Sequence, residues 1–426
     1  MLIEVSRNPF KMAKDAALSI KGNARACVFT EPIFYISNTM YTGYMTLYML
    51  SFGISKTQVG MITSLGLASS ILFAFISPYV TDKFGRRYTT LFFDTVGWGG
   101  ALLAWALARD IRYFIVAAVF NAFIRVISNS YYCLMLEDSP AHIRIQIYNF
   151  LQVAAICGSF FTPVGALLIS KFSFEPAMRM MFSFGVICVL SVNIIRHFNV
   201  TETELGRRRL EEMKNSSILS VYASYIPVLK RIISDKTLIA ILLLRTLNFI
   251  QLTIRNTFLA VLVTERFGFP AGTMAVFHTV NAFVMLFILL FVSPYLSRVT
   301  RRWPIGLGLA FHLCATSILL LTPGTRNYPL LIFGAVMIAL GTSVTTPRID
   351  ALAANTIINE ERSVVNAIMS MILLLISTPF GYIGGALSGI DARLPFLLNF
   401  TIFMFCLLTL RIVGKLEMRS AGHDAN

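Results

Sequence analysis

Apolar runs of about 20 residues, each long enough to cross roughly 30 Å of hydrocarbon as a helix, recur twelve times along the chain. Their spans are 28–50, 57–80, 88–108, 112–136, 145–170 and 177–196, then 237–264, 271–296, 304–323, 328–353, 364–389 and 394–414. Short polar stretches separate them, except at 197–236, the only long polar connection. Its later part, Ile218 to Ile233, suits either a basic amphipathic helix lying on a membrane surface or a plain linker. The segment SPYVTDKFGRR at 77–87 returns as SPYLSRVTRRW at 293–303, an offset of 216 residues, and each copy follows the second span of its half. The pattern predicts an all-α membrane protein with twelve transmembrane helices, arranged as two six-helix bundles related by an internal repeat. Residues 1–196 form the first bundle with its basic N-terminus, 197–236 the cytoplasmic linker and 237–426 the second bundle.

Composition agrees, since 56% of residues are hydrophobic and 13% charged, with a mean hydropathy of +0.71, where a soluble domain has about a quarter charged. The formal charge of +15 would suit a nucleic-acid partner, but its distribution argues for topology. If the N-terminus is inside, 25 Lys and Arg lie in inside segments, including eight from Arg196 to Lys236, and only 8 lie outside. Both termini are therefore expected in the cytoplasm, in a bacterial cell membrane, with no nucleic acid bound. The polar, basic start lacks a short apolar core and cleavage site, so no signal peptide is expected to be removed. All six cysteines fall within or beside apolar spans, which implies packing residues rather than a disulfide framework.

The loop after the second span carries Asp82, Gly85, Arg86 and Arg87. Asp82 near a helix N-terminus can satisfy free backbone donors, Gly85 permits a backbone closed to other residues, and the arginines can pair with Asp82, Glu137 or lipid headgroups. This pattern closely resembles the loop between helices two and three of the major facilitator superfamily, with Pro78 standing where that family has a small residue. Glu137-Asp138-Ser139-Pro140 followed by Arg144 is similar to the family's acid, Pro and Arg pattern between helices four and five. The resemblance covers the whole length. It implies secondary transport by alternating access, with Asp82, Gly85, Arg86, Arg87, Glu137 and Arg144 latching the two halves in the outward-open state, and helices one, four, seven and ten lining a central cavity.

Polar residues at membrane depth are costly and mark pathways or partners. Asn121, Arg125, Asn129 and Tyr132 share one face of helix four, and Asn248, Gln251 and Arg255 share one face of helix seven, with Arg245 to one side. Helix one adds Asn38, Tyr41 and Tyr48, and helix ten adds Thr345 and Arg348. By the resemblance both stripes point inward. Arg125, Arg245 and Arg255 would place permanent cations in a low-dielectric cavity with few carboxylates, which favours a bound organic anion. Glu31 and Asp94 are the coupling candidates, for protons or another ion, and Asp94 is expected to join the cytoplasmic cluster around Asp82. The five histidines are scattered and no ATP-binding Gly-rich Lys loop occurs, so no enzyme, cofactor or metal is expected. The expected partners are a small-molecule substrate and the lipid bilayer, with the protein a monomer. A multidrug or neutral-sugar transporter, or a non-transporting membrane sensor, are the alternatives.

Overall fold

The computed structural model describes residues 17–215, 225–292, 302–324, 326–356 and 362–423, and among these no strand occurs. Twelve long helical elements follow the predicted spans. In the first half α1 comprises Gly22–Thr42 and Met45–Ser51, α2 is Lys56–Phe84, and α3 runs through Arg86–Asp94, a π-helical turn at Thr95–Gly99, and Gly100–Ala106. Next come α4 (Ile111–Ala122 and Ile124–Leu136), α5 (Ala141–Ser159 and Thr162–Phe172) and α6 (Phe174–Asn199). In the second half α7 is Lys236–Val261 with a π turn at Leu262–Arg266, and α8 is Thr273–Phe287 with Ile288–Val292. The last four are α9 (Arg302–Leu321), α10 (Tyr328–Thr356), α11 (Arg362–Ile390) and α12 (Leu394–His423). Ten of the helices are long and apolar enough to cross a membrane. The other two, α1 and α3, are the ones that carry Glu31 and Asp94.

Local chemistry sets the helix starts. Ser55 and Gln58 close a reciprocal capping box on α2, while Asp110 and Asp235 cap α4 and α7 by accepting from the first free backbone amides. Side chains then fill both bundles. Tyr41, Tyr48, Trp105, Phe114 and Phe182 are buried together in the first, and Ile254, Phe258, Phe396 and Phe403 in the second. Large apolar side chains such as Leu167, Ile187 and Leu375 stay exposed, as a lipid-facing surface requires.

The bundles meet at the end away from the linker. Gly60 of α2 lies so close to α11 that an added Cβ would stand 2.5 Å from Gly381 O and 2.9 Å from Gly385 Cα. Ser64 Oγ donates to Thr378 O at 2.6 Å, Thr46 Oγ1 donates to Thr257 O at 2.7 Å, and Lys56 pairs with Glu265. On the other side of the interface Phe160 of α5 packs edge-on against Phe283 of α8.

Between the bundles the linker is partly helical, at Glu204–Glu212 and Tyr225–Ser234. The second of these presents exposed Ile226, Leu229 and Ile233, within the stretch read as amphipathic, although residues 218–224 of that stretch lie outside the described residues. So do residues 293–301, most of the second copy of the repeated loop.

Candidate functional site

Inside the first bundle three charged side chains converge from three helices. Arg196 of α6, 4% exposed, donates through Nη2 to Glu31 Oε1 of α1 at 2.8 Å and stands 3.4 Å, by Nη1, from Asp94 Oδ2 of α3. Its Nε donates to Thr30 Oγ1 at 2.9 Å, and its guanidinium lies over the Tyr131 ring at 4.8 Å. Tyr131 Oη of α4 donates to the same Glu31 Oε1 at 2.6 Å. With the Asn193 amide turned to match its surroundings, its nitrogen donates to Asp94 Oδ2 at 2.8 Å. Two carboxylates against one guanidinium leave a net charge of −1 when all are ionised. A cavity of about 160 Å³ borders the centre, with Phe34, Tyr35, Trp98 and Tyr132 among its walls.

This arrangement corrects two expectations. Asp94 does not join Asp82; Asp82 pairs with Arg86 at 2.8 Å, while Asp94 turns into the bundle toward Arg196. Arg196 was counted among the inside loop charges, yet it is buried in the bundle as the shared partner of both coupling candidates. Its position at the end of an apolar run made it look like a loop residue. The signal that identifies it is charge balance, since two acids at membrane depth require a cation nearby.

The loop residues expected to form a latch are gathered at the linker. Arg86 Nε donates to Glu137 Oε2 at 3.1 Å, and the backbone amides of Arg86 and Arg87 donate to Glu202 of the linker at 3.0 and 2.9 Å. Gly85, at φ +85°, faces Glu202 so closely that an added Cβ would lie 2.6 Å from Oε2. Arg87 Nη2 donates to His197 O, and Lys83 Nζ to Met213 O and Lys214 O. Arg144 stays exposed and donates to Ser139 O. Among the described residues no hydrogen bond or ion pair ties Asp82, Arg86, Arg87, Glu137 or Arg144 to the second bundle.

The helix-seven stripe is brought together within the second bundle. Asn248 donates to Thr346 Oγ1 of α10, Gln251 donates to Asn248 Oδ1, and Asn399 of α12 donates to Gln251 O. Arg255, 9% exposed, bonds through Nη1 to Thr342 Oγ1 at 3.1 Å and has no carboxylate partner among the described residues. Two nearby imidazoles, His278 and His312, leave their buried Nε2 atoms without a hydrogen-bond partner among the described residues. Arg245 departs from the expectation of an uncompensated cation, since its Nη2 stands 3.3 Å from Asp350 Oδ1 of α10. Arg348 donates back to Val344 O, one turn earlier on its own helix.

The helix-four stripe does not form one surface. Asn129 donates to Thr81 Oγ1 of α2, and Asn121 borders a separate apolar cavity of about 220 Å³ beside Tyr48 and Phe182. The Arg125 side chain has no hydrogen bond or ion pair among the described residues; its carbonyl accepts from Ser77 Oγ. On α1, Tyr41 Oη donates to Asn38 Oδ1 at 2.9 Å, and the Tyr41 ring packs on Phe182.

Comparison with known proteins follows this geometry. The structure resembles that of the nucleoside transporter NupG, with a TM-score of 0.68 at 12% identity, over 92% of this chain and 100% of that one. It is also similar to a mutant of peptide transporter POT (TM-score 0.68, 13% identity, 96% of this chain and 98% of that one). A third likeness is to the human organic anion transporter TETRAN (TM-score 0.59, 15% identity, 92% and 100%). No curated protein matches the chain by sequence. A family model described as Major Facilitator Superfamily matches residues 29–372 and again 241–422. With that match across most of the chain, and a fold shared with solved transporters, this integral membrane protein belongs to the major facilitator superfamily.

Proposed function

We propose that the protein is a secondary transporter of a small organic anion, moved by alternating access of residues 1–196 against residues 237–426 about the linker 197–236, both termini being cytoplasmic. The observation that carries the reading is Arg255. A guanidinium buried without a carboxylate bears an effective penalty of several kcal/mol, and a carboxylate or phosphate of the substrate would offset it. Arg125, also without a counter-charge among the described residues, is assigned as the second contact, with Asn248 and Gln251 supplying hydrogen bonds on the α7 side. Arg245 is compensated by Asp350 and is assigned a supporting role. That one solved neighbour is an organic anion transporter is consistent with this choice, although others carry nucleosides or peptides.

Coupling is assigned to Glu31 and Asp94. Their net charge of −1 beside Arg196 is completed by one monovalent cation, a proton or another ion, and a change in that occupancy would bias the equilibrium between the two arrangements. The anion reading is tested by thermal unfolding of the purified protein against a panel of carboxylates, phosphates, neutral sugars and amphiphilic drugs. Anions that stabilise the wild type, and lose that effect in both Arg255→Ala and Arg125→Ala, are the expected result. Stabilisation by neutral or purely cationic compounds alone would overturn it. Flux of the stabilising anion into reconstituted vesicles separates a transporter from a sensor.

A further inference from the structure

We infer that the cavity beside Glu31 and Asp94 is a subsite for the ammonium group of a small organic cation. The inference rests on the reading of these two residues as a cation-binding centre and names the chemistry of what they hold. Both carboxylates are more than nine-tenths buried, both border the cavity, and each keeps one oxygen unbonded. Arg196, Tyr131 and Asn193 address Glu31 Oε1 and Asp94 Oδ2, which leaves Glu31 Oε2 and Asp94 Oδ1 without partners among the described residues. Their negative charge is only half balanced by Arg196, whose nitrogens are turned toward Glu31, Asp94, Thr30, Tyr131 and the Cys27 carbonyl.

The remaining walls are aromatic. Phe34 and Trp98 meet edge to face, centroids 4.8 Å apart at 67°, and Tyr35 and Tyr132 continue the lining, Tyr132 at 43% exposure. The π-helical turn Thr95–Gly99 directly follows Asp94 and carries Trp98, and such turns often mark sites of function. This combination discriminates among cations. A bare metal ion seeks about six oxygen ligands, and the side chains of Phe34, Trp98, Ile124, Ile127, Val189 and Val192 in the walls supply none. A proton needs no cavity. An alkylammonium can donate hydrogen bonds to the two free oxygens while its methylene groups and diffuse charge lie against ring faces. At about 160 Å³ the space is well below the 300–1,000 Å³ typical of drug-sized ligands, which limits the occupant to a few heavy atoms.

The test is isothermal titration and thermal unfolding of the purified full chain with methylammonium and ethylammonium, against sodium and potassium chloride at equal ionic strength and across a pH series. Saturable stabilisation by the alkylammonium ions alone is expected. Trp98→Leu, which keeps every charge, should weaken it by about tenfold, and Glu31→Gln and Asp94→Asn by about tenfold or more. Should the carboxylate variants fail to fold, Trp98→Leu carries the test by itself. Arg255→Ala should leave alkylammonium binding unchanged, so failure of the anion reading is scored separately. Equal effects of sodium, potassium and alkylammonium, or alkylammonium binding indifferent to Trp98→Leu, would overturn the subsite. A pH effect altered by Glu31→Gln with no alkylammonium effect would also overturn it, while leaving the coupling role of Glu31 and Asp94 standing.

Discussion

Arg196 joins helices that neither its own span nor any motif connects, binding Glu31 of α1 and Asp94 of α3 from α6. Removing one partner of a buried ionic group typically costs about 3–5 kcal/mol, because the remaining charge is left uncompensated. Arg196→Met should therefore lower the melting temperature sharply, and adding Glu31→Gln with Asp94→Asn should restore part of the loss. A triple variant no more stable than the single one would contradict the net-charge account. In the second bundle Asp391, in the turn before α12, accepts from the Arg393 backbone and guanidinium at 2.8 and 2.9 Å. These bonds hold its carboxyl down at about 2. Since the folded value is depressed, the contribution is present above the ordinary carboxylate range near 4 and is lost as pH falls toward 2. Asp391→Asn should flatten the stability profile in that window only, and an unchanged acid limb would show that the exposed pair contributes nothing measurable.

Helices meet where small residues allow it, and that element-scale fact decides how the bundles close. Gly60 of α2 lets the backbone approach Gly381 and Gly385 of α11, as small residues do in membrane helix pairs. Gly60→Leu would force the pair apart. Overpacking of about 1–3 kcal/mol should shift the population of the closed end by about five- to 150-fold. A disulfide between Ser64→Cys and Thr378→Cys reports this, forming readily in the parent and slowly with Gly60→Leu; unchanged crosslinking would show that the contact does not set the equilibrium. The twelve spans could be read from apolar run lengths because each crosses a medium with no competing hydrogen-bond partners. The linker's first helix, Glu204–Glu212, could not, since it owes its place to tertiary partners. Glu202 accepts from the α3 amides, and Thr203 caps the linker helix by accepting from Gly206 N.

Over the whole molecule, we propose from the uneven distribution of basic residues that the linker faces the cytoplasm. Gly206 is unsuited to a labelling test, because an added side chain there would overlap Glu202. Arg208, with a side chain 71% exposed, is the better reporter. A cysteine-reactive impermeant reagent should leave Arg208→Cys unlabelled in intact cells and label it after permeabilisation. Labelling from outside would reverse the orientation. Within the loop expected to form the latch, Asp82 and Arg86 pair, and the loop is bound by Glu202, some 115 residues further along the chain, a contact that local spacing does not reveal.

What the amino-acid sequence determined by itself was the number of spans, the family and the identity of the acids and arginines at membrane depth, because hydropathy and motif spacing are local properties. Which of those charges face one another was decided only by the tertiary structure. A helical face defined at 100° per residue does not say which neighbour it meets. Asn121 and Asn129 share a face, yet one borders a cavity beside Tyr48 and the other donates to Thr81. Arg245 and Arg255 lie on one helix, yet Asp350 of α10 compensates the first, while among the described residues the second bonds Thr342 and no carboxylate. Charge compensation depends on distances of about 3 Å between residues far apart in the chain, and packing alone sets those distances.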